Sequence, residues 1–164
     1  SIEVVGEITR ESVYSLVLQL RYLYSADPEK EITMYINSPG GSVIDGLALY
    51  DVMAGISCPI RTICVGMAAS MGALLFAAGN KRDMLPHAAV MIHDPLTTGI
   101  SGSALSVEQA SRRLMETREI TASILADHTG HTIEEVYEKT RQDSYFNAEE
   151  AVAWRLADRI ITGI

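Results

Sequence analysis

Ile60-Arg61-Thr62-Ile63-Cys64-Val65-Gly66-Met67-Ala68-Ala69-Ser70-Met71-Gly72-Ala73-Leu74-Leu75-Phe76-Ala77-Ala78 runs from a β-branched apolar segment, through small residues, into a second apolar segment. Residues 60–65 read as a strand and residues 68–78 as a buried helix, with a tight turn of small residues at the junction. This places Ser70 in the first helical turn, at the positive end of the dipole and beside N–H groups that have no intrahelical partner. Such a place suits a nucleophile whose attack creates an oxyanion. The flanking alanines and glycines leave room for a substrate backbone. Taken alone, the same serine reads as a cap or a packing residue.

Working outward, strand and helix patterns alternate. Residues 2–5 read as a strand. Residues 10–25 read as a helix after Thr9, with Val13, Leu16, Val17, Leu20 and Leu23 on one stripe. Asp27-Pro28-Glu29 breaks it. Residues 32–36 form the next strand, and Ser38-Pro39-Gly40-Gly41 is a turn opening a helix that ends near Gly55. Short strands follow around Asp83-Met84 and over residues 89–92. Repeated alternation of this kind gives an α/β domain with parallel pairing.

Residues 97–104, Thr-Thr-Gly-Ile-Ser-Gly-Ser-Ala, carry no periodicity and read as a loop or weak strand. Ser106, with Gln109 in capping-box position, opens a long helix to about His128. Its apolar stripe is interrupted by Arg112, Arg113, Glu116, Arg118 and Glu119. Such a helix packs on its own domain or reaches another subunit. Thr132 and Glu135 open a further short helix by the same capping logic.

The chain has 164 residues, 48% of them apolar, which is one ordinary domain with a real core. No stretch approaches the roughly 18 apolar residues of a membrane span, and no secretory signal opens the chain. Thirteen basic against 21 acidic residues give a net charge of −8, which argues against a nucleic-acid partner. Cys58 and Cys64 form neither a metal motif nor a redox pair, so no metal or other cofactor is expected. A reducing compartment, the cytoplasm, is the expected location.

A serine nucleophile needs a base, and an imidazole that is neutral at working pH fits. Of the four histidines, His128 and His131 flank Gly130 and read as exposed turn residues, and His87 follows Pro86 in a turn. His93 ends the apolar strand Val90-Met91-Ile92 and precedes Asp94-Pro95, which makes it the candidate base. Asp94 is adjacent to it, but consecutive residues of an extended segment point to opposite sides. Asp143, before the aromatic pair Tyr145-Phe146, is free of that constraint, although on its own a loop aspartate reads as a turn former. The order serine, histidine, aspartate matches none of the chymotrypsin, subtilisin or α/β-hydrolase orders, but geometry rather than order defines a triad.

Four ordered segments now stand together: Tyr35-Ile36-Asn37-Ser38-Pro39-Gly40-Gly41-Ser42-Val43, Gly66 to Gly72, Met91-Ile92-His93-Asp94-Pro95, and Asp143 through Ala151 with Leu156-Ala157-Asp158. Over nearly the whole chain they resemble the Clp protease proteolytic subunit family, the ClpP serine peptidases. The resemblance implies a ClpP/crotonase-like spiral of stacked ββα units, in one domain over 1–164. A head of residues 1–95 and 130–164 would carry a projecting handle helix within about 96–129. It puts the triad on Ser70, His93 and Asp143 and the oxyanion-hole amides on Gly41 and Met71. Gly40, Gly41 and Ser42 would bind an extended substrate by main-chain hydrogen bonds. It implies ATP-dependent proteolysis of unfolded polypeptides, in protein quality control, with an AAA+ unfoldase as partner. Heptameric rings would stack as a tetradecamer through the handle.

The sequence departs from that pattern in three places. It opens almost at the first strand, so the family's N-terminal axial segment is expected to be absent or truncated. Arg141-Gln142 stands where many members carry an Asp-Arg pair that couples ring contact to catalytic alignment. Thr33 stands where an aromatic often lines the unfoldase-docking pocket, although Tyr35 is retained. These departures sustain an alternative, a non-catalytic or conditionally active ring subunit needing a ClpP paralogue. A crotonase-type acyl-CoA enzyme shares the core and a two-amide oxyanion hole but not the serine–histidine pair.

Overall fold

The computed structural model describes residues 1–97 and 99–164; Thr98, within the loop expected over residues 97–104, lies outside the described residues. In chain order the elements are β1 Ile2–Val5, α1 Arg10–Ala26, β2 Ile32–Ser38, α2 Val43–Gly55, β3 Ile60–Ala69, α3 Met71–Ala77, β4 Lys81–Met84, β5 Ala89–Ile92, α4 Ala104–Thr129, α5 Ile133–Thr140, β6 Ser144–Phe146, α6 Ala148–Ala153 and β7 Arg159–Ile160. Strands β1, β2, β3, β4 and β7 lie side by side and pair in parallel. The fold is the mixed α/β architecture with a mostly parallel sheet that the alternation implies. Along β2, Ile32, Met34 and Ile36 are buried while Thr33 and Tyr35 are half-exposed, so the strand has one face covered. Helices α1, α2, α3 and α4 pack in succession, each on the next.

The strand that leads to Ser70 is longer than the periodicity indicates. β3 runs to Ala69 rather than stopping at residue 65, and α3 starts at Met71 rather than residue 68. The reason is a bulge. Register slips between Ile36↔Cys64 and Ser38↔Ala68. Gly66 takes the kink at φ 73°, and the Asn37 Oδ1 accepts the Met67 N–H at 3.3 Å. Beyond the kink, β3 leaves β4 and pairs Met67, Ala68 and Ala69 with β5. A bulge re-aims a strand in this way and lets one element serve two neighbours. It brings the end of β3 beside the strand that carries His93.

Asp83 anchors the other side of the sheet. Its side chain is 1% exposed and takes Arg61 Nε at 2.6 Å and Arg159 Nε at 2.8 Å, tying β3, β4 and β7 together. Burial alone would raise the Asp83 carboxyl, but hydrogen bonds from Arg159 and Arg61, and their charges, hold it below the ordinary aspartate value of 3.8. A folded pKa below the unfolded one means the stabilisation is whole above the unfolded value and vanishes as pH falls through the folded one. Asp83→Ala should cost about 3 kcal/mol by leaving two arginines beside an empty site. Urea unfolding checks this, and the gap between wild type and variant should close as the solution is taken below pH 3.8.

Helix α4 begins two residues before the expected Ser106 cap. Ser103 is the cap and accepts the Ser106 N–H at 3.2 Å. No residue over 104–120 is buried, whereas Thr121, Ala122, Ile124, Leu125 and Thr129 are. The helix stops at Gly130 in the left-handed conformation at φ 76°. Arg82 donates to the His128 carbonyl at 2.8 Å and Arg155 to the Thr129 carbonyl at 2.7 Å, so two cations satisfy its last turn. The histidines here are not the exposed turn residues expected. His128 is half-buried against the Tyr50 hydroxyl at 2.9 Å, and His131 stacks on Trp154 with ring centroids 4.0 Å apart.

Candidate active site

Ser70 occupies the residue between β3 and α3, ahead of the helix rather than within its first turn. Its backbone is at φ 57° and ψ −120°, a region a non-glycine residue rarely enters. Such a conformation costs on the order of 1–3 kcal/mol and persists only where its surroundings impose it. They do. The Ser70 N–H donates to the Met91 carbonyl at 2.9 Å, and every residue of α3 is buried. The strain turns the hydroxyl away from the helix: Ser70 makes no side-chain cap bond. This is the geometry of a nucleophile elbow, where a sharp strand-to-helix turn presents the hydroxyl.

The hydroxyl meets His93. Nε2 of His93 lies 2.8 Å from Ser70 Oγ, and the pairing of β5 with the end of β3 is what sets that distance. On its other side, His93 Nδ1 lies 3.3 Å from Asp143 Oδ1. The imidazole is largely buried and the aspartate side chain is 60% exposed. Asp143 is carried into place by β6, which pairs antiparallel with β5 and was not evident between two helical patterns. Phe146 anchors that strand at 5% exposure, but Tyr145 does not, at 63%. Asp94 points elsewhere, to Arg118 Nε at 2.8 Å, as alternation along an extended segment requires. A serine, an imidazole and a carboxylate thus stand in line. Catalytic hydrogen bonds are often long in the absence of substrate and tighten when it binds.

The Gly40-Gly41 turn closes the site. Gly40, at φ 96°, lies so close that an added Cβ would sit 2.8 Å from Ser70 Cβ and 3.2 Å from Met71 N. Gly41, at φ 151°, has no room either, since a Cβ would overlap the Ile8 carbonyl oxygen. The Ile8 N–H donates to Gly40 O at 2.8 Å and the Ser42 N–H to Ile8 O at 2.9 Å. Bonding on that edge leaves the Gly41 N–H facing away from Ile8. Among the described residues neither it nor the Met71 N–H has a hydrogen-bond acceptor. Two free donors beside Ser70 are what an oxyanion would take. Ser42 is otherwise engaged: its hydroxyl caps α2 through the Asp45 N–H at 3.2 Å.

A narrow cleft of about 20 Å³, room for about one water, opens beside Ser70 and is lined by Val43, Met71, Pro95, Thr121 and Leu125 among others. Cys64 takes no part. It is fully buried, and burial pushes its thiol up to about 12, which leaves it protonated and inert. Among the described residues no group of three His, Cys, Asp or Glu could hold a metal ion, and no helix is long and apolar enough to cross a membrane. Sequence reasoning missed Asn37 and Arg118. Asn37 shapes the bulge that steers β3, a role with no signature in the sequence. Arg118 sits in a run of charged residues and looks like a solvated face.

A parallel α/β sheet presenting a strained serine to a histidine defines a hydrolase-like site. The family model described as Clp protease matches residues 1–163. The chain belongs to the Clp protease family and is a ClpP-like peptidase.

Proposed function

We propose that this ClpP-like peptidase is a serine endopeptidase with Ser70 as nucleophile, His93 as general base and Asp143 as the acid that orients it. The observation that carries the reading is the 2.8 Å contact between Ser70 Oγ and His93 Nε2 at a strained elbow. His93 takes the hydroxyl proton as Ser70 attacks the scissile carbonyl, and the proton passes to the leaving amine. Asp143 stabilises the imidazolium formed in between. The N–H groups of Gly41 and Met71 receive the negative charge. Within the Gly40-Gly41-Ser42 segment the Gly40 carbonyl and the Ser42 N–H are taken by Ile8, so an added substrate strand would pair through the Gly41 carbonyl. Substrate recognition by main chain tolerates many side chains, which suits the degradation of unfolded polypeptides in the cytoplasm.

The family's ring architecture and its AAA+ unfoldase partner fit the same reading. Residues 104–120 of α4 protrude without burying Leu105, Val107 or Met115, which are 71%, 39% and 56% exposed. Ordering a helix costs conformational entropy that burial of such a stripe against another subunit offsets. We therefore assign residues 1–95 and 130–164 to a head and about 96–129 to a handle that joins two heptameric rings. Arg141 pairs locally with Glu138 at 3.5 Å, and Gln142 brings no charge to a neighbouring ring. Sedimentation should show a tetradecamer that converts to single heptamers more readily as salt is changed than a Gln142→Arg variant does. Native mass and hydrolysis of a fluorogenic peptide in one sample test the whole reading. A stable, fully active monomer would remove the handle and the chamber, and an assembled but inactive ring would favour the paralogue-dependent alternative.

A further inference from the structure

We infer that Arg118, on α4, is a positioning residue that sets the distance between the base and the acid of the site. The inference rests on the serine-peptidase reading for its kinetic consequence but on geometry for its substance. His93 and Asp143 are carried by different elements. His93 leaves the end of β5, while Asp143 follows α5 and its turn. The β5–β6 ladder pairs the two segments only as far as Ile92 and Ser144, and the contact of His93 with Asp143 just beyond it is 3.3 Å long with an acid that is 60% exposed, too weak to fix their separation alone.

Arg118 reaches both segments. Its Nε donates to Asp94 Oδ2 at 2.8 Å, one residue beyond His93. Its guanidinium lies 3.8 Å above the centroid of the Tyr137 ring on α5, six residues before Asp143. A flat cation that can hydrogen-bond at its edge while stacking on a ring is suited to this bridging, and an ammonium is not equivalent. A direct strut lies alongside: the Asp94 N–H donates to the Thr140 carbonyl at 2.8 Å, at the end of α5. The Asp94 carboxylate depends on Arg118. Its other oxygen, Oδ1, is buried and has no partner among the described residues, and the same is true of Thr140 Oγ1 close by. Without Arg118 the carboxylate would have to turn toward solvent, and the peptide that carries His93 would turn with it.

The side chain that performs this comes from the helix whose first 17 residues, 104–120, are unburied. That side chain is only 25% exposed and lines the cleft beside Ser70. An exposed helix is thereby linked through two contacts, to Asp94 and to Tyr137, to the segments that carry His93 and Asp143.

The test uses the full-length chain with Arg118→Gln, Asp94→Asn and the double variant. The readouts are kcat and KM on a fluorogenic peptide, with active sites counted by a fluorophosphonate. Misplacing a catalytic group by about 1 Å costs about 100-fold, so Arg118→Gln should lower kcat per counted site by about 10- to 100-fold. KM should stay within about twofold, since uniform binding is untouched. The double variant should be no worse than the poorer single variant, because both break one link. A loss that appears only as fewer counted sites, or two losses that multiply, would overturn the inference. A crystal structure of Arg118→Gln supplies a readout independent of turnover. The His93 Nδ1–Asp143 Oδ1 distance should exceed the present 3.3 Å, and an unchanged distance overturns the inference even if the wild type proves not to be a serine peptidase.

Discussion

Ser70→Ala should abolish peptide hydrolysis, with an expected loss on the order of a million-fold in kcat, the cost of removing the nucleophile if the proposed triad operates. The substitution deletes one hydroxyl that makes no cap bond and, among the described residues, hydrogen-bonds only to His93, so the fold and assembly should be unchanged. Removing it also leaves the strained φ of 57° in place, since α3 and the Ser70 N–H bond to Met91 impose it. His93→Ala should cost nearly as much, and the double variant little more than either, because members of a triad act as a unit. Asp143→Asn should cost up to roughly 10,000-fold by favouring the wrong tautomer. Steady-state assays on samples matched by circular dichroism check all of these. Substantial residual turnover in Ser70→Ala would sink the serine mechanism.

Gly40→Ala is the second large effect, expected at roughly 100- to 1,000-fold in kcat, the scale of losing an oxyanion donor. The new methyl would lie 2.8 Å from both the Ala69 carbonyl oxygen and Ser70 Cβ. None of those contacts is the far end of a flexible side chain, so the turn must move. Its φ of 96° adds strain for any side chain. When the turn moves, the Gly41 N–H moves with it while Ser70 and His93 keep their mutual contact. The variant should therefore still react slowly with a fluorophosphonate yet turn over peptide poorly. Full activity in Gly40→Ala would remove this turn from the mechanism.

Much of this site was legible in the sequence because its parts are local signals. A small-residue junction between two apolar runs marks Ser70, and a histidine ending an apolar strand marks His93. The Pro39-Gly40-Gly41 turn announces a close backbone approach. The choice of Asp143 over Asp94 followed from alternation along an extended segment, and Asp94 does point away, to Arg118. What was illegible depends on tertiary pairing. Nothing local says that β3 continues past Val65, because the four extra residues are held by β5 and by the Asn37 side chain. Three-residue β6 has too short a pattern to see, and it exists because β5 offers it an edge. The cap of α4 was misplaced by three residues because Ser103 and Ser106 both suit an N-cap, and only the backbone at Ser103, with ψ 162°, decides. His128 and His131 were misread because the partners that bury them, Tyr50 and Trp154, are remote in sequence.

The site's most direct test is the identity of the residue that a fluorophosphonate modifies. Phosphonylation requires a nucleophile that has an adjacent base and an oxyanion hole, so it reads the three features together. Treating the assembled protein and mapping the adduct by tandem mass spectrometry should place it on Ser70 alone, with no adduct in Ser70→Ala and a much slower one in His93→Ala. A sample that hydrolyses peptide while its adduct falls on another residue, or that forms none, would contradict the account.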